Sequence, residues 1–265
     1  MKATTKKLPT LLRAVSYILI VLTAFSAQQT IAASVQQPTV AIVIDDIGND
    51  YENGKAIALL PFPLTMSFLP KRPHTQKLIK LARQNQKEIM LHAPMENSLG
   101  IDLGHGGLHE NMSELEIKST LLESIDLVPG LVGINNHMGS KLTSNPKVMR
   151  WVMEVIRTTP YYFLDSRTSA ESVAAKLAAS HGIPNISRNI FLDHEQTRKY
   201  IQQQFLKLID MARERGSAIA IAHPHDVTVN YLRWALTKLD EKGIRLATAS
   251  ALWQIRHPTK RTHKD

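Results

Sequence analysis

Apolar residues along the chain fall into short continuous runs that alternate with stretches of helical spacing. Thr39–Ile44 (TVAIVI) and Ser217–Ala222 (SAIAIA) are apolar at every second position and at the positions between. Strands buried on both faces of a parallel sheet have this pattern. Shorter runs at Leu64–Phe68, Glu88–Leu91, Leu131–Ile134, Tyr161–Leu164 and Ile244–Ala247 read as further strands. Helices are expected between them, over Lys55–Leu60, Gln76–Gln84, Lys147–Arg157, Ser172–Ser180, Tyr200–Arg213 and Tyr231–Leu239. Pro61 and Pro63 stop the first of these. Ser113 with Glu116 forms a capping-box signature for another helix, running to near Ile125. Ile201, Phe205, Leu208 and Ala212 share one face of Tyr200–Arg213, and Gly216 ends that helix. The alternation predicts one α/β domain of seven or eight strands, either a barrel or an open sheet. Met95–Met112 is long and glycine-rich, as functional loops and lids are.

The first 33 residues have a different character. Lys6, Lys7 and Arg13 precede an apolar stretch from Ala14 to Phe25, and small residues follow at Ser26, Ala27, Ala32 and Ala33. That order reads as a secretory signal peptide over 1–33 with cleavage near Ala27–Ala33; an uncleaved N-terminal anchor is the alternative. A linker over 34–38, the α/β barrel domain over 39–255 and a basic tail over 256–265 complete the expected organisation. The 265 residues carry a net charge of +9. Without the four cations of the leader, 28 basic residues face 23 acidic ones, a balance of +5. No basic run is interleaved with aromatics, so nucleic acid is not an expected partner. Cysteine is absent, which excludes disulfides, thiol nucleophiles and thiolate metal sites.

Parallel α/β folds bind ligands at the carboxyl ends of their strands. Here those ends carry Asp45-Asp46, His92, Asn135-Asn136-His137, Asp165-Ser166-Arg167 and His223-Pro224-His225. Each group has a plain structural reading. An Asp-Asp pair can cap a helix, His92 can be a satisfied core histidine, and His223-Pro224-His225 can be a rigid turn. Arg167 and Arg188 can be partners in ion pairs. Five polar strand ends on one rim are hard to explain by packing, because charged residues are seldom buried unpaired. Asp46, His92 and His137 would make a two-histidine, one-carboxylate site with positions left open for water or substrate. That donor set suits zinc, and also manganese, cobalt or ferrous iron. Adjacent carboxylates can divide into ligand and base, because a cation lowers one pKa and a like charge raises the other.

Ile44-Asp45-Asp46-Ile47-Gly48 resembles the first motif of NodB-type polysaccharide deacetylases, and Glu88–Glu96 (EIMLHAPME) resembles the second. Ala220-Ile221-Ala222-His223 resembles the last. Together with GINNHMGS, FLDSRTS and IAHPH, these segments are similar to the divergent polysaccharide deacetylase family over Val40–Trp253. The resemblance implies a distorted NodB-like (β/α) barrel and carbohydrate chemistry. It implies Asp45 as base, Asp46 as metal ligand and His223 as general acid, with His225 as an orienting neighbour. Where the second motif normally has another histidine, this chain has Glu96. His137 is then the expected third ligand, and Glu96, Asn136, Asp165, Arg167 and Arg188 are expected substrate-binding or supporting residues. In Ser217–Ala222, strand alternation puts Ile219 and Ile221 on the side of His223, which faces the barrel mouth if those isoleucines fill the interior.

The expected protein is a periplasmic or secreted metal-dependent deacetylase of an acetylated polysaccharide such as peptidoglycan or an exopolysaccharide. It has no membrane span once the signal is cleaved. Two other classes fit the same residues: a catalytically altered glycan-binding envelope factor on this scaffold, and a different hydrolytic or oxidative enzyme at the two-histidine, one-carboxylate site.

Overall fold

A computed structural model describes residues 37–258. The export signal read at 1–33 and all of the basic tail beyond residue 258 lie outside the described residues. Nine strands and eight α-helices follow in order: β1 Thr39–Ile47, α1 Tyr51–Ala58, β2 Thr65–Phe68, α2 Thr75–Gln84, β3 Glu88–Met95, α3 Glu114–Asp126, β4 Gly133–Met138, α4 Pro146–Arg157, β5 Tyr162–Asp165, α5 Ala174–Ser180, β6 Asn185–Ser187, β7 Ile190–Phe191, α6 Arg198–Arg215, β8 Ser217–Ala222, α7 Asp226–Ala235, β9 Arg245–Ala247 and α8 Ala249–Arg256. No helix among the described residues is long and apolar enough to cross a membrane.

All strand pairs are parallel, in the order β6-β5-β4-β3-β2-β1-β8-β7, with β9 added to the start of β1. The two ends of this curled sheet are joined by only Arg188 and Asn189. Arg188 N–H still bonds the Asp165 carbonyl of β5 at 3.0 Å, and Asn189 N–H already bonds the Ile219 carbonyl of β8 at 2.9 Å. The chain thus hands over from one end of the sheet to the other, and the architecture is the expected distorted (β/α) barrel.

Strand alternation divides the core in two. Val40, Ile42, Ile44, Ala218, Ala220 and Ala222 pack outward against the helices. Ala41, Val43, Met90, Leu164, Ile219 and Ile221 fill the interior, and Ala249 and Leu252 of α8 close its lower end. Each fully buried branched side chain contributes roughly 1.5–3 kcal/mol. Arg256 belongs to α8 and donates to Ser217 Oγ at 2.8 Å, so the tail begins after it.

Several strands run further than their apolar runs. The apolar residues of β1, β3 and β4 stop at Asp45, His92 and Asn135, yet the ladders continue to Ile47, Met95 and Met138. The chemistry-bearing residues of these strands therefore lie within the strands, not after them. β6, β7 and α8 carried no clear pattern, being two to eight residues long. The helix expected over Tyr231–Leu239 instead starts at Asp226, and its buried Thr228 is held by a side-chain acceptor. The helix expected from Lys55 starts at Tyr51, capped by Asp50, whose Oδ1 accepts from Asn53 N–H at 2.9 Å.

Candidate functional site

The inward-facing positions that hold the apolar core continue upward into a polar layer. Asp45 follows Ala41 and Val43, His92 follows Met90, and Ser67, Asn135 and His223 take the matching places on their strands. At β1 the ladder breaks: Ile44 pairs with Met66 but Ile47 pairs with Phe68, so Asp45 and Asp46 both stand opposite Ser67. This is a β-bulge, and Asp46 sits in it at φ 58°. A left-handed backbone at a residue other than glycine costs of order 1–3 kcal/mol and clusters at functional sites. Here it turns two consecutive carboxylates toward one centre. Met138 and Arg167, at the ends of β4 and β5, share the left-handed conformation.

Three donor atoms meet there. Asp46 Oδ1 lies 2.9 Å from His137 Nδ1 and 3.2 Å from His92 Nε2, and the two ring nitrogens are 3.1 Å apart. Asp46 Oδ1 is buried and neither ring N–H is aimed at it, so it has no hydrogen-bond partner among the described residues. A buried unpartnered carboxylate oxygen is costly. Donors ~2.1 Å from a shared cation and roughly at right angles stand ~3 Å from one another, so this triangle fits a divalent ion. Burial would raise the Asp46 carboxyl, but His137 and His92 hold it well below the usual range. Burial and the neighbouring His92 lower His137, which favours the neutral, ligating imidazole.

Asn135 organises the layer from beneath and is fully buried. Its Nδ2 donates to Asp45 Oδ1 at 2.9 Å, which leaves Oδ1 as the acceptor. That oxygen takes Ser67 Oγ–H and His92 Nδ1–H, each at 2.7 Å. His92 is thereby fixed as the tautomer whose Nε2 lone pair faces Asp46 and His137. Such a hydrogen bond behind the ring orients metal-binding histidines generally.

Asp45 lies beside the triangle, with Oδ2 3.6 Å from His92 Nε2. Burial raises its carboxyl above the ordinary range against the opposing pull of His92 and His223. On the opposite side, His223 Nε2 is 3.9 Å from Asp46 Oδ2. Its Nδ1 meets Asp193 Oδ1 at 3.1 Å, while Asp193 Oδ2 accepts His223 N–H at 2.7 Å and Thr228 Oγ–H at 2.9 Å. Burial opposes a charge on His223, but Asp193 outweighs it and the pKa is raised to about 9. Asp193, His223 and His225 are also close enough together to hold an ion. Asp193 has no orphaned oxygen, however, and hydrogen bonding already accounts for it. The His225 ring is 5.7 Å from that of His223, and its side chain has no hydrogen bond among the described residues.

The other expected site residues are placed in two groups. Asn136 Oδ1 accepts Ser166 N–H at 2.9 Å, and Asp165 accepts Arg167 N–H, Ser172 Oγ–H and Ala175 N–H. Both residues brace the loop after β5. Glu96 binds Lys141 Nζ at 2.7 Å and Glu110 N–H at 2.6 Å, which ties down the glycine-rich loop. Asn97 does the same from inside the loop, accepting Leu99 and Ile101 N–H. Arg167 and Arg188 stand at the rim, near the joint between β6 and β7. Sequence reasoning did not assign Asp193, Ser67 or the organising role of Asn135. A cavity of about 400 Å³ between α6 and α7, lined by Phe205, Leu206, Tyr231 and Trp234, is lined by none of the residues of the centre.

Known proteins resemble the chain at three levels. A family profile described as divergent polysaccharide deacetylase matches residues 42–253. An uncharacterized protein of Escherichia coli K12 is 37% identical over 229 residues, covering 86% of this chain and 72% of that protein. One of Haemophilus influenzae is 34% identical over 230 residues, covering 87% and 82%. Among solved structures, an uncharacterized protein of Agrobacterium tumefaciens C58 superposes with a TM-score of 0.79 at 26% identity, over 82% of this chain and 89% of that one. A family 4 carbohydrate esterase from Streptomyces lividans, in complex with acetate, shares the fold at TM-score 0.50 and 12% identity, over 79% and 91%. So does a mutant CE4 family pseudoenzyme with restored enzymatic activity, at TM-score 0.50 and 16% identity, over 82% and 68%.

Proposed function

Because the chain belongs to the divergent polysaccharide deacetylase family, we propose that it is an exported, metal-dependent deacetylase of an acetylated polysaccharide of the cell envelope. The observation that carries this reading is the unpartnered Asp46 Oδ1 facing His92 Nε2 and His137 Nδ1, with a raised carboxyl on one side and a charged histidine on the other. Asp46, His92 and His137 would hold the ion. When bound, a divalent ion there supplies charge stabilisation to an acetyl carbonyl and makes water a better nucleophile near neutral pH.

The chain's own residues do the rest. Asp45 takes a proton from water as the water oxygen bonds to the acetyl carbon, and burial strengthens it as a base. His223, kept protonated by Asp193, has Nε2 turned to the centre. It gives that proton to the sugar nitrogen or oxygen as the carbon–nitrogen or carbon–oxygen bond breaks. Acetate and a free amine or hydroxyl are the products. His225 orients the leaving sugar.

Metal content and acetate release together test this. Asp46→Ala, His92→Ala and His137→Ala should each lose the ion and release no acetate from N-acetylated chitooligosaccharides or muropeptides. Asp45→Asn should keep the ion and lose turnover. An ion retained in His137→Ala but lost in Glu96→Ala would mean that Glu96 is the third ligand.

A second reading, a glycan-binding envelope factor without catalysis, draws on Glu96. That residue stands where the family's second motif has a histidine, and it is committed to Lys141 and Glu110. Against it, base, acid and donor set are all assembled. Bound glycan with no acetate release, from metal-loaded protein, would favour the second reading.

A further inference from the structure

Arg167 and Arg188, at the edge of the centre, are two cations with no salt bridge among the described residues. Arg188 is held by backbone: its Nε donates to the Ser166 carbonyl at 2.6 Å and its Nη2 to the Arg167 carbonyl at 2.8 Å. Its Nη1 group has no partner among the described residues. Arg167 is exposed, and its side chain forms no hydrogen bond or ion pair among the described residues. The carboxylate best placed to neutralise them is Asp165, which is buried. Its Oδ1 is taken by the Arg167 N–H, and its Oδ2 by Ser172 and Ala175. Burial and the adjacent Arg167 charge pull the Arg188 guanidinium below its ordinary value, against the weaker opposing pull of Asp165 and Asp45. The fold thus sets two guanidinium groups near each other with no salt bridge to the neighbouring acid, whose oxygens are bonded elsewhere. Unpaired guanidinium groups suit planar, bidentate recognition of a carboxylate or phosphate.

The location says which part of a substrate they meet. Arg188 stacks on Phe191 at 5.2 Å from the ring centroid, and the Phe191 ring is 5.1 Å from that of His223. The pair therefore lies on the side of the acid histidine, where the leaving sugar sits, not the acetyl group. We propose that Arg167 and Arg188 form a subsite for an anionic substituent, a carboxylate or a phosphate, on the leaving sugar or its neighbour, so that the polymer acted on is an acidic glycan. The placement of the sugar rests on the deacetylase reading; the anion subsite itself does not.

Calorimetric titration of the metal-loaded full chain tests the proposal. The probes are a tetrasaccharide of alternating N-acetylglucosamine and N-acetylmuramic acid, its methyl ester, and inorganic phosphate as competitor. The free acid should bind at least about tenfold more tightly than the ester, the size expected of a charge-assisted hydrogen bond. That preference should shrink in Arg167→Gln, whose side chain is exposed and whose melting temperature should match wild type. It should shrink in part in Arg188→Lys, which keeps the charge and loses the fork. Displacement of the tetrasaccharide by millimolar phosphate would extend the subsite to phosphorylated glycans; its absence beside an acid preference would restrict it to carboxylates. Equal binding of acid and ester, or no measurable binding of the acid, overturns the proposal. Acetate release is followed on the same samples. An acid preference without release from any probe removes the deacetylase reading and leaves the subsite. Release without preference does the reverse.

Discussion

A strand residue ordinarily shows its side chain to one face and its successor to the other. Asp45 and Asp46 escape that rule because the bulge in β1 gives two residues the place of one. The pair can then divide labour: Asp46 is pulled down by two imidazoles while Asp45 is pushed up by burial. Asn135 joins Asp45 to the ligand His92, so Asn135→Leu should weaken metal affinity roughly 10–100-fold, the usual effect of losing such a supporting bond. Competition with a calibrated chelator would read that loss. Across the centre, His223 has a pKa raised to about 9 from an ordinary 6.5. A general acid must carry its proton, so turnover should hold until pH nears that value and fall above it. Asp193→Asn removes the strongest pull against burial, leaving only Asp46 and Asp45 to oppose it, and should move the alkaline limb to lower pH. The same pairing stabilises the fold fully below the ordinary histidine pKa, and that stability is lost as pH rises through about 9. His223→Ala should remove the limb and cost roughly 10²–10⁴-fold in turnover. An unchanged pH profile in both variants would place the acid elsewhere on the rim.

At the scale of elements, the apolar runs located the barrel and not the reach of its strands. Ser217–Ala222 was legible to the residue because both of its faces are apolar and Gly216 stands before it. The Ser113–Glu116 capping box likewise marked the start of α3. By contrast, β1, β3 and β4 continue through Asp45-Asp46, His92 and Asn135-Asn136-His137, where the polar side chains face one another inside the mouth. Polarity at those positions looks like a strand end in a sequence, and only the cross-strand partners show otherwise. Asp193 escaped notice for a related reason: its partners, His223 and Thr228, are 30 and 35 residues away. The lower end of the barrel was equally silent, since α8 is a short helix whose Ala249 and Leu252 enter the interior. Beneath it, Glu88 accepts Thr65 Oγ–H and Tyr162 O–H, each at 2.9 Å, and Ser250 N–H at 3.2 Å. Leu252→Ala should therefore cost about 2–5 kcal/mol, as large-to-small core changes do. Chemical denaturation measures it, and metal stoichiometry should stay unchanged. A loss below 1 kcal/mol would mean that α8 is not a plug.

Across the described residues as a whole, a curled sheet of parallel strands presents one polar layer at its mouth and closes its other end with a helix. The glycine-rich loop, expected as a lid, is tied to the end of β4 and the turn after it by Glu96, which accepts from Lys141, and by Asn97, which donates to Met138, while Leu99 at its tip is 82% exposed. The envelope polymer we propose as substrate would meet this centre only outside the cytoplasm. Fractionation of cells making the full chain should find a shortened form beyond the inner membrane, and full-length protein in the cytosol would contradict export. The centre itself is tested most directly by stripping the protein of metal and adding zinc back. Acetate release from an N-acetylated oligosaccharide is followed against the ion bound per chain. Release should vanish on stripping, return in proportion to bound zinc and saturate at one ion per chain. Release that survives stripping, or that stays absent with one ion bound, would contradict the account.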